Sequence, residues 1–536
     1  MTDLNRLSNL ARKGLELGLR EIGQSPEMRS ARALASRMPE ATTGGPTVAF
    51  LTPRDWASHV QWEALMAQAL RLRGASVQVL TCGGGLELCD RSNTYEAPPP
   101  PCHTCAGYTK RALEAHGLPQ HPLAEGWTEV EAWPELDALS FDELTRVVDD
   151  GVPLGALTYI PLRWFLCTSD VVGDPLAPFT LRRLLRSARA IARSVTASLD
   201  AVRPEVLVML NGLFLFESIA AHVAASRGIR VVSYERGFVH GTLIFAHGPT
   251  ASRYEVDEQW GDARHRPLEP FEDERLDAYL ADRRHGRSAM YSYWPNPVFD
   301  RPESEQRGRR RVAVFTNLTW DSAVLGIDSI FPSMQAWLIA VVEHLGGRTD
   351  TVVTIRVHPA EVLVPGWETR EPVAGFLAQR FGTLPANVEL LAADDPTSSY
   401  PLMAEADLGL VYSSTVGLEL ALEGTPVIAG ARPHYTGKGF THDATDPAHF
   451  AQLMDQVLAD PTGSAPPVEL ARRYANLLFF EAGLSQPPAT EPLGGLIRLD
   501  TTDPDDLAPG RSRPLDVICD GILHGAPFHL GRPSGV

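Results

Sequence analysis

Cysteine is scarce in this sequence of 536 residues, which contains only six, and long uninterrupted runs of apolar side chains are missing as well. A membrane-spanning helix needs about 20 consecutive apolar residues, whereas the most apolar long stretch, residues 408–431, is interrupted by Glu419 and Glu423. Basic residues are outnumbered, since 48 Lys and Arg stand against 66 Asp and Glu. The resulting net charge of −18 argues against nucleic-acid binding through a broad basic face. Binding through a local basic patch stays open as an alternative.

The first 40 residues lack the short apolar core of a secretory signal, so the sequence predicts a cytoplasmic protein. Residues 1–40 are predicted to be a helical segment with an apolar stripe. The stripe either docks on another part of the chain, which we favour, or makes peripheral contact with the inner face of a membrane. The leucines at near-helical spacing are Leu4, Leu7, Leu10, Leu15 and Leu19.

The sequence does contain two series of short β-branched runs that alternate with helical patterns, which is typical of parallel βαβ units. The first series predicts a Rossmann-like domain over residues 41–240, and the second predicts another over residues 311–485. Two such α/β domains commonly face each other across a cleft, where a ligand binds beyond the carboxyl ends of the strands. Residues 241–310 are predicted to be an interdomain connector, and residues 486–536 a C-terminal tail.

Strand predictions rest on short runs rich in Val, Ile and Leu that are bounded by turn residues. Helix predictions rest on longer stretches with an apolar residue at every third or fourth position, such as residues 59–73, 181–199 and 334–345. The predicted strands are residues 47–52, 76–81, 205–210, 229–234, 311–316, 351–357, 388–391, 408–412 and 426–429.

Three hydroxyl side chains, Ser413, Ser414 and Thr415, separate the predicted strand 408–412 from a helix. Backbone N–H groups at the start of a helix attract anions, so these residues form a candidate phosphate site. The alternative is ordinary N-capping, which needs only one hydroxyl, and we favour the phosphate site for that reason. Glu419, in the first turn of the helix, either bonds a sugar hydroxyl or favours the helix dipole.

A histidine stands at the end of another predicted strand of the second domain. Arg356 and His358 close the strand 351–357, and Pro359 terminates its pairing. From this position the imidazole can reach a phosphate oxygen or a leaving group. A histidine at a strand end is also often an ordinary hydrogen-bonding residue, and both interpretations stay open.

A carboxylate follows a strand in the first domain. Glu235 comes directly after the predicted strand 229–234 and would face the opposing domain across the cleft. A general base that removes a proton from an acceptor hydroxyl needs such a placement. An ion pair between Glu235 and Arg236 or another cation is the alternative.

Further candidates follow the first predicted strand of each domain. Asn211 is another candidate, directly after the predicted strand 205–210, although Asn211-Gly212 can also be an ordinary turn. Trp320 offers a stacking surface for a sugar or a base, and Asp321 offers a partner for a hydroxyl, although this segment can also be a helix cap. The candidate donor-side residues here are Asn317, Trp320 and Asp321, and the candidate acceptor-side residues are Arg54, Asp55, His59 and Asn211.

These motifs resemble those of a known group of enzymes. Glu235-Arg236-Gly237, His358-Pro359 and Ser413-Ser414 resemble the three motifs of bacterial sialyltransferases and capsule-type Kdo transferases with a GT-B fold. Residues 413–427 and 433–441 resemble the corresponding part of capsule polysaccharide biosynthesis proteins. The resemblance extends over residues 311–441 and, less closely, over the first domain.

The resemblance implies a glycosyltransferase, of the hexosyl or the Kdo/sialyl type, that acts in surface polysaccharide synthesis. It would move a sugar from a nucleotide-activated donor, with CMP-linked acidic sugars the nearest precedent, to a glycan or lipid-linked acceptor. Glu235 would activate the acceptor, while His358 would contact and protonate the donor phosphate that Ser413 and Ser414 hold. No cofactor is implied for catalysis, because a CMP leaving group carries a single phosphate.

Two alternatives to a glycosyltransferase share the expected fold. A sugar-nucleotide epimerase has similar paired domains, and so does a non-catalytic binding protein. Arg236 also departs from the family pattern, in which a different residue often follows the glutamate. The fold alone therefore does not decide among the three functions.

Four of the six cysteines, Cys82, Cys89, Cys102 and Cys105, lie in a predicted insertion into the first domain over residues 82–155. A Cys-x2-Cys pair preceded by two more thiols can form a tetrahedral zinc site or hold an iron–sulfur cluster. The alternatives are free thiols, or disulfides in an oxidising compartment. A metal at this position would be structural and not catalytic.

Overall fold

The computed structural model describes residues 13–40, 44–96, 99–127, 132–168, 170–285, 298–299, 308–320, 330–493 and 495–531. Within these residues the chain forms two α/β units, each built on a mainly parallel sheet and covered by helices. The predicted α/β fold class, with two Rossmann-like units facing a cleft in a GT-B-like arrangement, is confirmed. No helix in the described ranges is both long and apolar enough to cross a bilayer.

Nine of the strands were predicted, and their bounds agree with the predicted ones to within two residues at each end, whereas β3, β6, β12, β13 and β14 were not predicted. The strands are β1 (Thr47–Leu51), β2 (Ser76–Thr81), β3 (Gln120–Pro122), β4 (Val206–Leu210), β5 (Arg230–Arg236), β6 (Thr242–His247), β7 (Arg310–Phe315), β8 (Thr351–Arg356), β9 (Val388–Leu391), β10 (Leu408–Val411), β11 (Val427–Ala429), β12 (Leu484–Ser485), β13 (Ala489–Leu493) and β14 (Leu496–Leu499).

Helices fill the intervals between the strands. They are α1 (13–21), α2 (Pro26–Ala35), α3 (Ala57–Leu72), α4 (Cys102–Ala115), α5 (Phe141–Leu144), α6 (Leu154–Leu157), α7 (Tyr159–Leu166), α8 (Ala177–Val202), α9 (Leu215–Ser226), α10 (Asp257–Ala263), α11 (Pro270–Arg284), α12 (Met334–Leu345), α13 (Ala360–Leu363), α14 (Val373–Phe381), α15 (Ser399–Glu405), α16 (Val416–Leu422), α17 (Pro447–Ala459), α18 (Val468–Asn476) and α19 (Arg513–His524).

The first sheet has the strand order β12-β6-β5-β4-β1-β2-β3. Its strands β1 to β5 are parallel, whereas β6 and β12 each run antiparallel to their neighbour. Helices cover both faces, and the central strand β4 is therefore buried along its whole length. This two-sided burial explains why its sequence reads as a continuous apolar run and not as an alternating pattern.

The second sheet has the order β11-β10-β7-β8-β9 and is parallel throughout. Helices α12, α14 and α17 pack on one face, while α16 and α18 pack on the other. Parallel strands point their carboxyl ends to one edge of the sheet, so the loops after β7, β8 and β10 lie together.

The first unit also contains chain segments from outside residues 41–240. Strand β6 lies in the predicted connector, and β12 lies at the end of the predicted second domain, yet both complete the first sheet. In the predicted tail, β13 and β14 form a hairpin, and α19 packs on the first sheet through Leu515, Ile518 and Ile522. The spacing of these three residues puts them on one helical face, whose burial holds the segment in place.

Candidate functional site

A cleft of about 1290 Å³ separates the two units, and residues at the strand carboxyl ends of both sheets line it. Nine of the residues predicted for the site contribute to its walls. From the first unit these are His59, Asn211 and Glu235, and from the second unit they are Asn317, Trp320, His358, Ser413, Ser414 and Thr415. The structure thus brings the carboxylate of one unit and the imidazole and hydroxyls of the other to a single cavity.

Glu235, near the end of β5, is oriented by neutral hydrogen-bond donors. The Asn211 side-chain amide donates to its Oε2 at 2.8 Å, and the Arg236 backbone N–H donates to its Oε1 at 2.7 Å. The Arg236 guanidinium pairs with Glu491 at 2.8 Å. Gly237 then allows the tight turn into β6, because a Cβ at this position would lie 2.2 Å from the Thr242 hydroxyl.

His358 forms part of the opposite wall, just beyond β8. Its backbone N–H donates to the Thr316 hydroxyl at 3.0 Å, and its Nδ1 accepts the Ala360 backbone N–H at 3.2 Å. Burial, assisted by the nearby Arg356 cation, lowers the pKa of His358 to about 4. The ring is therefore neutral near pH 7 and carries its proton on Nε2, from which it can donate to an oxygen.

The hydroxyl run after β10 divides between two roles. Ser413 is held by the Asn317 side-chain amide, which donates to its Oγ at 3.3 Å. Ser414 Oγ accepts the Val416 backbone N–H at 3.3 Å, a contact within the turn that leads into the helix, and the N-cap residue Thr415 makes no capping bond with its side chain. Helix α16, which follows, has only seven residues. A phosphate site here consequently depends on the hydroxyls and on His358 more than on a helix dipole.

Two predicted donor-side residues point away from the cleft wall. The two terminal nitrogens of the Arg356 guanidinium donate to backbone oxygens, Nη1 to Ala392 at 3.0 Å and Nη2 to Asp395 at 3.0 Å. Glu419 accepts hydrogen bonds from Tyr400 at 2.9 Å and from Arg283 at 2.6 Å. Because Arg283 itself lines the cleft, Glu419 supports a cation of the site and does not itself lie on the wall.

Three other predicted residues do not reach the described part of the cleft wall. Arg54 is buried in an ion-pair cluster with Asp90 and Glu217, since its five donors need acceptors once they are removed from water. Asp55 pairs with Arg91, and Pro359 is the cap residue of α13. Asp321 lies outside the described residues.

Sequence reasoning missed several cations and aromatic rings of the cleft. Arg432 and Lys438 follow β11, so their strand-end position was a usable signal. Arg283 is carried by α11, in the segment without periodicity, and nothing in the sequence marks it. The aromatic part of the wall consists of the predicted Trp320 and six rings that were missed, Trp56, Trp164, Phe214, Phe238, Tyr254 and Trp367.

A buried polar chain behind His59 was also missed. His59 Nδ1 lies 3.1 Å from the Tyr234 hydroxyl, which donates to Glu63 Oε1 at 2.6 Å. Burial raises the pKa of Glu63 to about 8, while hydrogen bonds from Thr52 and Tyr234 oppose the shift. Glu63 lies within α3, where helical spacing gives no sign that its side chain meets a strand residue.

The four clustered cysteines do not belong to this cleft. Cys82, Cys89, Cys102 and Cys105 line a second, much smaller cavity within the first unit. The side chain of Arg54 also reaches that cavity. The predicted catalytic residues Glu235 and His358 therefore line the large cleft, whereas the four cysteines line the small cavity.

Comparison with known proteins supports the predicted resemblance over part of the chain. Residues 262–460 match the family model described as capsule polysaccharide biosynthesis protein, which confirms the resemblance over that range. This is less than half of the chain, and the first unit up to β6 lies outside it. Curated proteins give no match.

Solved structures share the general layout at low sequence identity. The β-Kdo 2,7-transferase of Thermosulfurimonas dismutans KpsC is 16% identical, with a TM-score of 0.33 over 54% of this chain and 81% of that one. Its β-Kdo 2,4-transferase is 17% identical, with a TM-score of 0.35 over 51% and 79%. The UDP-GlcNAc 2-epimerase of Neisseria meningitidis is 12% identical, with a TM-score of 0.25 over 79% and 93%.

Proposed function

We propose that this chain is a glycosyltransferase of capsule or related surface polysaccharide synthesis. It transfers a sugar from a nucleotide-activated donor to a hydroxyl of a glycan or lipid-linked acceptor. The observation that carries the proposal is the shared cleft, in which Glu235 of the first unit and His358 with Ser413 of the second line the same cavity. The family match over residues 262–460 supports the surface polysaccharide context.

The acceptor side of the reaction falls to Glu235. Its carboxylate removes the proton of the acceptor hydroxyl as the oxygen attacks the anomeric carbon of the donor. The two neutral donors on this carboxylate, from Asn211 and from its own chain, fix the direction of its oxygens. His59, on the same unit, completes the acceptor side of the wall.

The donor side falls to the second unit. When the bond between the anomeric carbon and the phosphate oxygen breaks, negative charge develops on the departing phosphate. The Ser413 hydroxyl and the Nε2 proton of the neutral His358 ring donate hydrogen bonds to that oxygen. Arg432 adds positive charge to the wall, and Arg283 and Lys438, which also line it, are ion-paired with Glu419 and Asp257. A CMP-linked acidic sugar is the proposed donor, since these groups match one phosphate and one carboxylate.

A binding screen followed by turnover measurements tests this function. Calorimetry with CMP, UDP and GDP identifies the nucleotide, and we expect CMP to bind most tightly. With the corresponding donor, Glu235→Gln and His358→Ala should each lower kcat by about 10² to 10⁴-fold, which is the usual contribution of a positioned acid or base. Glu258→Gln and His524→Ala, at exposed positions outside the cleft, are the matched controls.

Other outcomes would point to a different protein. Isomerised sugar nucleotide formed from the donor alone, without acceptor, would mean an epimerase. No tight binding of any of the three nucleotides would mean a non-catalytic protein. Near-normal turnover in both cleft variants would remove the proposed roles of Glu235 and His358.

A further inference from the structure

Four cysteines from separate segments of residues 82–105 line the second cavity. Cys82 follows β2, Cys89 lies in the next loop, and Cys102 and Cys105 lie in the first turn of α4. All four line one cavity of about 20 Å³, which is room for about one water-sized occupant. Each is present as a free cysteine.

A backbone amide is aimed at the first of these sulfur atoms. The Gly84 N–H donates to Cys82 Sγ at 3.3 Å, two residues further along the chain. Hydrogen bonds to sulfur are the outer contacts that orient and stabilise thiolate ligands around a metal.

The local chain allows these segments to approach closely. Three successive glycines after Cys82, Gly83 to Gly85, all have positive φ angles, a conformation that other residues adopt only at a cost. A Cβ on Gly84 would lie 3.2 Å from the Cys102 Cβ, so a side chain here would press on the partner segment. The glycine run thus brings the first cysteine loop against the start of α4.

We propose that Cys82, Cys89, Cys102 and Cys105 bind a metal centre through four thiolates. In the described residues no group of three or more His, Cys, Asp or Glu side chains is spaced to hold an ion as it stands. Binding therefore draws the four thiols together, and each loses its proton to solvent as its bond to the metal forms. The small cavity favours a single zinc ion, and an iron–sulfur cluster uses the same four ligands.

The centre would act on the cleft from a distance. The loop between Cys89 and Cys102 contacts the second unit, since Asn93 donates to the Gly366 carbonyl at 2.6 Å and Tyr95 donates to the Glu368 carbonyl at 2.8 Å. Asp90, next to Cys89, pairs with Arg54, whose cation lies over the Trp56 ring of the cleft wall. A fixed loop therefore holds both a cross-cleft contact and part of the acceptor wall.

Metal analysis of the purified full chain tests the proposal without any enzyme assay. The chain is produced with zinc and iron in the medium, purified without chelator, and analysed for both metals, for acid-labile sulfide and for visible absorbance. We expect about one zinc ion per chain, in keeping with four thiolate ligands. Iron with equimolar sulfide and absorbance near 400 nm would equally support the four-thiolate centre and would identify its occupant.

Variants identify the ligands and keep the proposal open to refutation. Cys102→Ser with Cys105→Ser should abolish metal content, whereas Cys519→Ser, a buried cysteine in α19, should retain it. Because the double variant can fail to fold, the unaltered chain is also treated with a strong chelator. We expect all four thiols to become reactive to an alkylating agent and the melting temperature to fall.

Three outcomes would overturn the centre. The first is a chain that contains neither zinc nor iron, both as purified and after incubation with Zn²⁺ under reducing conditions. The second is undiminished metal in the double variant. The third is a disulfide between Cys102 and Cys105 in the metal-free chain as isolated from the cytoplasm. None of these results would bear on Glu235 or His358, so failure here leaves the proposed function standing.

Discussion

Glu419 shows how a side chain next to the cleft serves the site through another residue. It is only 7% exposed, and its carboxylate is occupied by Arg283 and Tyr400. Arg283 is the residue that lines the cavity, so the carboxylate neutralises and fixes a cation that faces the donor side. Removing one partner of a buried ion pair leaves the other charge without compensation, which costs about 3–5 kcal/mol.

Glu419→Ala is therefore expected to lower the free energy of unfolding by about 3–5 kcal/mol and to weaken nucleotide binding. Urea unfolding and calorimetry measure the two effects. The matched control is Glu423→Ala, at the C-terminal cap of the same helix, whose partner Arg284 is exposed. An exposed pair contributes at most about 1 kcal/mol, so equal losses in the two variants would contradict the buried role of Glu419.

Individual site residues could be predicted where their place at the carboxyl end of a strand is enough to bring the side chain to the cleft. Glu235, His358 and Ser413 directly end or follow strands, and all three line the cleft. Arg54 and Arg356 also stand at strand ends, but distant groups decide where their side chains point. The partner Glu217 lies 163 residues from Arg54, and a single sequence contains no sign of that pairing.

At the scale of single elements, helix α4 carries chemistry at both ends. Its first turn holds Cys102 and Cys105, and its C-terminal cap residue is His116. His116 is fully buried, with Nε2 2.8 Å from the Gln61 side-chain oxygen. Burial lowers the pKa of His116 to about 3, because a charged ring would be removed from water.

The low pKa of His116 predicts a loss of stability in acid. The unfolded chain binds a proton on this ring below about pH 6.5, whereas the folded chain does not until about pH 3. Stability therefore falls as the pH is lowered through this window, by up to about 1.4 kcal/mol per pH unit. His116→Gln should reduce that slope in urea unfolding between pH 6 and pH 4, with the exposed His524→Gln as the matched control.

The pH dependence of stability must be compared between the variant and the parent chain, because buried carboxyl groups make the folded chain more stable as the pH falls, opposite to His116. Burial raises the pKa of Glu63 to about 8 and that of Glu361 to about 7, so their stabilising contribution is present at low pH and lost as the pH rises. These groups are common to both chains and cancel in the difference. An unchanged slope in His116→Gln would show that the ring is protonated in the folded state.

Elements with a strong period inside the two α/β series were predictable, whereas the missed ones are very short or lie outside those series. Helix α12 has its predicted bounds, because its apolar face repeats over twelve residues. Strand β12 has two residues, too few for any period, and its pairing with β6 is a long-range contact. Helix α19 does have an apolar stripe, and the surrounding Pro and Gly residues concealed it.

For the whole molecule, three tryptophans join the two units at one end of the cleft. Trp164 of α7 lies 5.5 Å from Trp320 and 5.1 Å from Trp367, measured between ring centroids. Next to it, Arg163 donates to the Thr319 carbonyl at 3.0 Å. Aromatic pairs contribute about 0.5–1.5 kcal/mol beyond the area that they bury, so this cluster couples the units.

Trp164→Ala is expected to uncouple the two units. Thermal unfolding should change from one transition to two, and the radius of gyration in small-angle scattering should increase, because the cross-cleft contacts weaken. Trp133→Ala, which removes a ring that packs within the first unit, is the control and should lower stability without separating the transitions. A single transition and an unchanged radius in Trp164→Ala would mean that other contacts hold the units together.

Strand β12 has a consequence for biosynthesis. It covers the outer edge of β6, and α19 covers apolar surface of the same unit, yet both leave the ribosome only after the entire second sheet. The nascent polypeptide must therefore keep an open sheet edge from pairing with neighbouring chains while translation proceeds. The first unit is therefore the first to be synthesised and the last to be completed. A chain that stops before β12 would expose the edge of β6 and would be prone to aggregation.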